Sequence, residues 1–153
     1  MVTRLAHHLR FNPSDQVRKV WAVDRAFKIL IADRNRNVRN LLQRELCAAG
    51  YQVMLAGEDR ELIRLVHDQD AADLVILDPD LPSSLSVAAL IESLHARQPA
   101  LPIVIYTFGN DDCNYAALPG VAECLEKGED VSLIKQVVNE VIKKYYFTRP
   151  SAP

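Results

Sequence analysis

Asp78 stands at the abrupt end of an apolar run, Leu74-Val75-Ile76-Leu77 with Ala72 just before, and is followed by Pro79, Asp80, Leu81 and Pro82. A carboxylate fixed in such a place can act as a nucleophile toward a phosphoryl group. Three other residues close apolar runs of the same kind. Asp33 follows Lys28-Ile29-Leu30-Ile31-Ala32, Thr107 follows Ile103-Val104-Ile105-Tyr106, and Lys127 comes shortly after the run Val121 to Leu125. Beside a carboxylate nucleophile, a hydroxyl and an ammonium would hold the oxygens of the transferred group, one by hydrogen bond and the other as a point charge. The chemistry is coherent only if these side chains meet in space.

The elements between them predict that they do. The runs ending at Asp33, Asp78 and Thr107 are short and unbroken, as strands buried on both faces must be, and Val121 to Leu125 reads as one more strand ending near Lys127. Pro79 and Pro82 bar the third from continuing. Another strand spans Tyr51 to Ala56, closed by Gly57. Between the strands apolar residues recur at helical spacing: Val38, Leu41, Leu42, Leu46 and Ala49 up to Gly50; Leu62, Leu65 and Val66 to near Asp70; and Val87, Leu90, Ile91 and Leu94, with Ser84 or Ser86 as cap. Residues 111–118 leave room only for a short fourth helix before Pro119-Gly120, and Ile134, Val137, Val138, Val141, Ile142 and Tyr145 mark the inward stripe of a last one. Strands alternating with helices imply a doubly wound five-stranded parallel sheet with right-handed crossovers and helices on both faces, an α/β fold. In such a sheet the carboxyl ends of the strands converge on one edge, where ligands bind.

Length and composition set the bounds. The 153 residues suffice for one domain, and 49% hydrophobic residues with 25% charged and a net charge of −2 describe an ordinary globular chain. No apolar run reaches the roughly 20 residues that span a bilayer, and no secretory signal is present, so a cytoplasmic location is expected. Residues 1–27 carry five bases against two acids and no sustained period, although Ser14 could cap a short helix through Asp24 bearing Val17, Val20 and Trp21. This leader is too mildly basic to argue for nucleic acid. The expected division is an extension over 1–27, a folded domain over 28–147 and a fraying tail over 148–153. Cys47, Cys113 and Cys124 are odd in number and far apart, which argues against a disulfide framework or a zinc site; Cys47 and Cys124 read as small apolar filler.

Asp33, Asp78 with Pro82 four residues on, Thr107 and Lys127, in that order and each closing a strand, resemble the receiver domain of two-component response regulators, of flavodoxin-like or CheY-like fold. The resemblance covers residues 28–146. It implies that Asp78 occupies the phospho-acceptor position, that Thr107 and Lys127 assist it, and that Asp33, Asp78 and Asp80 lie where magnesium would be held. It further implies a sensor histidine kinase or phosphotransfer protein upstream and a protein target downstream, with no membrane or nucleic-acid contact and no enzymatic turnover of its own. Several positions depart from the pattern. Arg34 replaces the second acid of the family's pair, Phe108 replaces a small residue, Cys124 replaces the switch aromatic, Gly128 replaces a proline, and Ser83-Ser84-Leu85-Ser86 lacks the usual glycine.

Arg34 admits two readings: a solvated residue beginning the first helix, or a cation in the acidic pocket paired with Asp78. Clustered carboxylates raise one another's pKa unless a cation is present. A guanidinium at about 4 Å supplies about 4 kcal/mol of attraction at an effective dielectric near 20, before desolvation. Magnesium wants well-placed carboxylates in near-octahedral array, and a fixed positive charge in place of one should exclude it and leave phosphorylation poor. Asp80 reads first as a turn acid accepting backbone N–H bonds, and only second as a catalytic group. The expectation is a stand-alone atypical receiver signalling through contacts in the region 107–134, or an interaction module that works without phosphorylation. A phosphotransfer enzyme of haloacid-dehalogenase type is the competing class, since Asp78-Pro79-Asp80 imitates its D-x-D. A nucleotide- or flavin-binding protein lacks the Gly-rich loop it would need.

Overall fold

From Lys28 onward the apolar pattern switches between two periods, and the chain follows it. In the computed structural model, residues 26–68, 72–109, 113–128 and 130–147 are described. The elements are β1 (Lys28–Ala32), α1 (Arg36–Ala48), β2 (Gln52–Ala56), α2 (Asp59–His67), β3 (Leu74–Leu77), α3 (Val87–Arg97), β4 (Ile103–Thr107), β5 (Val121–Glu126) and α4 (Ser132–Ile142). All strand pairings are parallel, in the order β2-β1-β3-β4-β5. None of the described helices is long and apolar enough to cross a membrane.

Successive strand residues feed two separate cores. Ile29, Ile31, Leu74, Ile76, Val104 and Tyr106 pack with Leu42 and Leu46 of α1 and with Ile134, Val138 and Val141 of α4. Leu30, Ala32, Val75, Leu77, Ile103 and Ile105 pack with Leu62 and Val66 of α2 and with Leu90, Ile91 and Leu94 of α3. Because alternate strand residues point to opposite faces, unbroken apolar runs are what such a two-sided sheet demands. The chain leaves β1 toward β2 on one side and returns past it to β3 on the other. The crevice at the carboxyl ends of β1 and β3 is therefore the topological switch point.

Helix ends are set by local chemistry. The Asn35 side chain accepts hydrogen bonds from the backbone N–H groups of Asn37 and Val38, which starts α1. The same helix stops at Gly50, whose φ of 101° suits glycine; its N–H donates to the Cys47 carbonyl and that of Tyr51 to the Leu46 carbonyl, a Schellman closure. Of the two candidate serines before α3, Ser86 is the cap, accepting from the Ala89 N–H.

Four details differ from the sequence expectation. The connection between β4 and β5 holds a 3-10 turn, Cys113–Ala117, in place of a fourth α-helix. The chain then turns at Gly120, where a Cβ would run into the His95 ring. Helix α2 ends at His67 rather than near Asp70. Cys47 and Ala49 are exposed, the first because 3.6 residues per turn carry it away from the stripe that buries Leu42 and Leu46, the second because it caps the helix beyond its last turn; Cys47 is not apolar filler, and Cys124 is half-buried. Phe27, just ahead of β1, also joins the packing, because its ring meets Tyr146 at 5.3 Å and Phe147 at 5.8 Å between centroids. The suggested helix over Ser14–Asp24 lies outside the described residues, as do the rest of residues 1–25 and the tail 148–153.

Candidate functional site

The two central strands end level with each other, and their last hydrogen bonds set the site. The Asp33 N–H donates to the Ala56 carbonyl at 3.1 Å and the Asp78 N–H to the Ala32 carbonyl at 2.8 Å, so both acids stand side by side above the switch point. The Lys127 N–H donates to the Thr107 carbonyl, which brings the ends of β4 and β5 to the same edge. Asp33, Asp78, Thr107 and Lys127 are all buried, between 2% and 8% exposed. For polar groups this is costly unless each finds a partner. The four residues predicted to share a pocket do share one edge, and three of them touch.

Each carboxylate oxygen is engaged. Asp33 Oδ1 accepts the Asn35 N–H at 2.8 Å, and its Oδ2 lies 2.7 Å from Lys127 Nζ. Asp78 Oδ1 accepts the Asp80 N–H at 2.9 Å. Its Oδ2 accepts the Arg34 N–H at 3.2 Å and is flanked by Lys127 Nζ at 3.6 Å and Arg34 Nε at 3.7 Å. Arg34 thus reaches Asp78, and its other arm, Nη2, lies 3.7 Å from Asp80 Oδ2. The guanidinium is about half exposed, at 49%, so solvent screening cuts its attraction well below the buried limit. Burial is the chief cause that holds the Asp33 carboxyl above its ordinary pKa; the Asp78 charge adds to it, and the Lys127 contact and the Asn35 N–H oppose it.

Thr107 and Phe108 behave differently from expectation. The Thr107 hydroxyl donates to the carbonyl of Phe108 at 3.0 Å, within its own loop, and makes no hydrogen bond to either acid. Phe108 does not fill the pocket: its ring is 56% exposed and lies over Lys127, with Nζ 4.8 Å from the ring centroid. That is within cation–π reach. Gly109 follows with φ of 88°, a turn that carries the chain outward just after the ring.

Two further residues support the pocket. Arg39 Nη1 donates to the backbone carbonyl of Asp33 at 2.7 Å. A strand-ending carbonyl needs a donor, and Arg39 sits beside Val38 near the inward stripe of α1, which was the available signal. Tyr106 places its ring 5.8 Å from Lys127 Nζ, and burial first, then the Asp33 charge, pushes its hydroxyl up against a hydrogen bond from the Gly128 backbone. Nothing in the sequence signalled this, because it arises from the pairing of β4 with β5.

Magnesium would need oxygen ligands open toward it at about 2.1 Å in near-octahedral array. Asp33 and Asp78 spend their oxygens on the ammonium, the guanidinium and backbone N–H groups, and Asp80, whose side chain is 57% exposed, leans toward Arg34. Among the described residues no three ligating side chains form a metal cage. A divalent ion about 4 Å from the guanidinium would meet about 8 kcal/mol of repulsion at an effective dielectric near 20, before screening.

Comparison with known proteins agrees with this architecture. Residues 29–145 match the family model described as the response regulator receiver domain. The DNA-binding transcriptional regulator NtrC of Bradyrhizobium sp. is 34% identical over 85 residues, which is 56% of this chain and 17% of that protein. The response regulator MprA of Mycolicibacterium vanbaalenii is 36% identical over 80 residues, 52% of this chain and 34% of its own length. The chain thus spans between about a sixth and a third of these two curated relatives. The crystal structure of a CheY-like receiver domain protein from Methanospirillum hungatei superposes with a TM-score of 0.70 at 19% identity, covering 78% of this chain and 96% of that one, which bears on the fold alone.

Proposed function

The chain belongs to the response regulator receiver domain family, and from that premise we propose that it is a signalling module which carries Asp78 at the phospho-acceptor position, balances that acid with Arg34 rather than with magnesium, and reports through protein–protein contacts. The observation that carries the reading is the closed charge network of Asp33, Asp78, Lys127 and Arg34, with contacts of 2.7, 3.6 and 3.7 Å. Asp78 lies at the carboxyl end of a central strand, Lys127 shares it with Asp33, and Thr107 closes the neighbouring strand with its hydroxyl on the Phe108 carbonyl. The folded unit in this reading is the stretch 28–147 together with Phe27, with 1–26 and 148–153 as flanks.

The upstream partner in this reading is a sensor histidine kinase or phosphotransfer protein, and the downstream one a protein target, in the cytoplasm. Support for the output side comes from a cavity of about 430 Å³ lined by Tyr106, Leu125, Glu126, Leu133 and Ile134. Exposed Leu133 and Phe108 lie in the same region of the chain. Turnover of the haloacid-dehalogenase kind is poorly supported. That reading needs Asp80 beside Asp78 as an acid over the substrate, and Asp80 instead turns to solvent and Arg34.

A second reading, an interaction module that never carries a phosphoryl group, is favoured by the Phe108 ring over Lys127. Incubation of the full chain with acetyl phosphate, followed by intact-mass measurement, separates the two. A single phosphoryl adduct that disappears in Asp78→Asn supports the first. Absence of any adduct, with unchanged binding to a captured partner in Asp78→Asn, selects the second.

A further inference from the structure

The guanidinium of Arg34 brings to the pocket one positive charge, which is also what an aspartate at that position would bring together with one bound divalent cation. The replacement therefore conserves the charge at Asp78 while removing the ion. We propose that Arg34 is a built-in cation for an oxyanion bound at Asp78, and that acyl-phosphate chemistry at this acid is independent of divalent metal. The inference rests on the reading of Asp78 as acceptor and adds the means by which the pocket tolerates the product.

The geometry supplies donors for such a group. Arg34 offers Asp78 Oδ2 its backbone N–H at 3.2 Å and its Nε at 3.7 Å, while Lys127 Nζ stands 3.6 Å away on the same oxygen. A guanidinium presents several donors in one plane and suits tetrahedral and trigonal oxyanions. Because its side chain is 49% exposed, Arg34 can swing outward by about the span of a phosphoryl group without losing a packed core contact. Asp80, at 3.7 Å from Nη2, holds the arm at the mouth of the pocket.

The step balances without another reactant. An Asp78 carboxylate oxygen attacks the phosphorus of acetyl phosphate, the bond from phosphorus to the acetyl oxygen breaks, and acetate leaves with the electron pair. No proton is required at neutral pH. The product carries one more negative charge than the carboxylate did, and Arg34 and Lys127 are the cations that face it. Transfer is slow, because Phe108 covers Lys127 and Asp78 is only 2% exposed, but the same with or without metal.

The test incubates the full chain with acetyl phosphate in excess EDTA and, separately, in excess magnesium, and reads phosphoryl adduct by intact mass. Wild type is expected to gain the adduct at yields within about twofold in the two conditions, a difference well under the tenfold that 1.36 kcal/mol makes in a rate. Arg34→Asp is expected to depend on magnesium by about tenfold or more, and Arg34→Lys to keep a metal-independent adduct. Melting curves establish that each variant folds. An adduct on wild type only with magnesium would overturn the proposal, and so would no adduct on wild type in either condition. In the latter case the receiver reading survives in its phosphorylation-independent form. An adduct that persists in Asp78→Asn would remove Asp78 as acceptor and take this proposal down with it.

Discussion

Lys127 is the residue on which the pocket's stability turns. It is the buried ammonium between two buried carboxylates, and removing one member of such a group strands the others. Lys127→Met should cost about 3–5 kcal/mol at neutral pH by urea unfolding. The pH dependence has a defined sign. The folded Asp33 pKa is raised, chiefly by burial. Its contribution to stability is thus fully present below the ordinary aspartate value and is lost as pH rises through the raised one. Lys127 is among the influences that oppose the rise, so its loss lifts Asp33 further and the variant's deficit should shrink on acidification toward the ordinary aspartate range. A deficit independent of pH would contradict the assignment. Carboxyl-carbon NMR should show Asp33 titrating above the ordinary range. The partners of this network were legible in the sequence because each acid or base ended a buried run. The directions of Thr107 and Phe108 were not, since one hydroxyl rotor and one ring over an ammonium depend on how the loop after β4 turns at Gly109.

At the scale of elements, caps and connections carry the testable content. Asn35 caps α1 with two hydrogen bonds, and Asn35→Ala should lower stability by about 1 kcal/mol. Its backbone N–H still reaches Asp33, so the titration of that acid should not move. The connection from β4 to β5 makes a different prediction. Cys124 stands at the position expected for an aromatic partner, and the Thr107 hydroxyl is held by its own loop. A phosphoryl analogue such as beryllofluoride, if bound at Asp78, should leave the amide shifts of the described residues between 107 and 127 nearly unchanged. Broad shifts there would show a working relay. The positions of β1, β3 and β4 were readable to within a residue because unbroken apolar runs are specific for the inner strands of this kind of sheet. The stretch after β4 was less so: Cys113–Ala117 holds too few apolar residues at helical spacing to settle between a 3-10 turn and a short α-helix.

For the whole molecule, the sheet separates two cores that share no side chains. Leu46→Ala on one side and Leu94→Ala on the other should each cost about 2–5 kcal/mol. Their double variant should show the sum within about 0.5 kcal/mol, because neither residue shares a partner with the other. Strong non-additivity in urea titrations would mean that the strands bend to couple the faces. The alternation of these cores was readable from the period of the strands, whereas the participation of Phe27 was not, since a lone aromatic before a strand carries no periodic signal.

The ring contacts among Phe27, Tyr146 and Phe147 fasten the beginning of β1 to the helical turn Lys143–Phe147 that follows α4, at the end of the strand away from Asp78. The two ends of the folded unit are therefore neighbours, so the unit can be spliced into a longer polypeptide as a single bead, with entry and exit side by side. A circular permutant that joins these ends through a short flexible linker and opens the chain in the exposed stretch Pro82 to Ser86 should still melt cooperatively. Its acidic pocket would then lie close to the new termini, while the old ends become an interior turn.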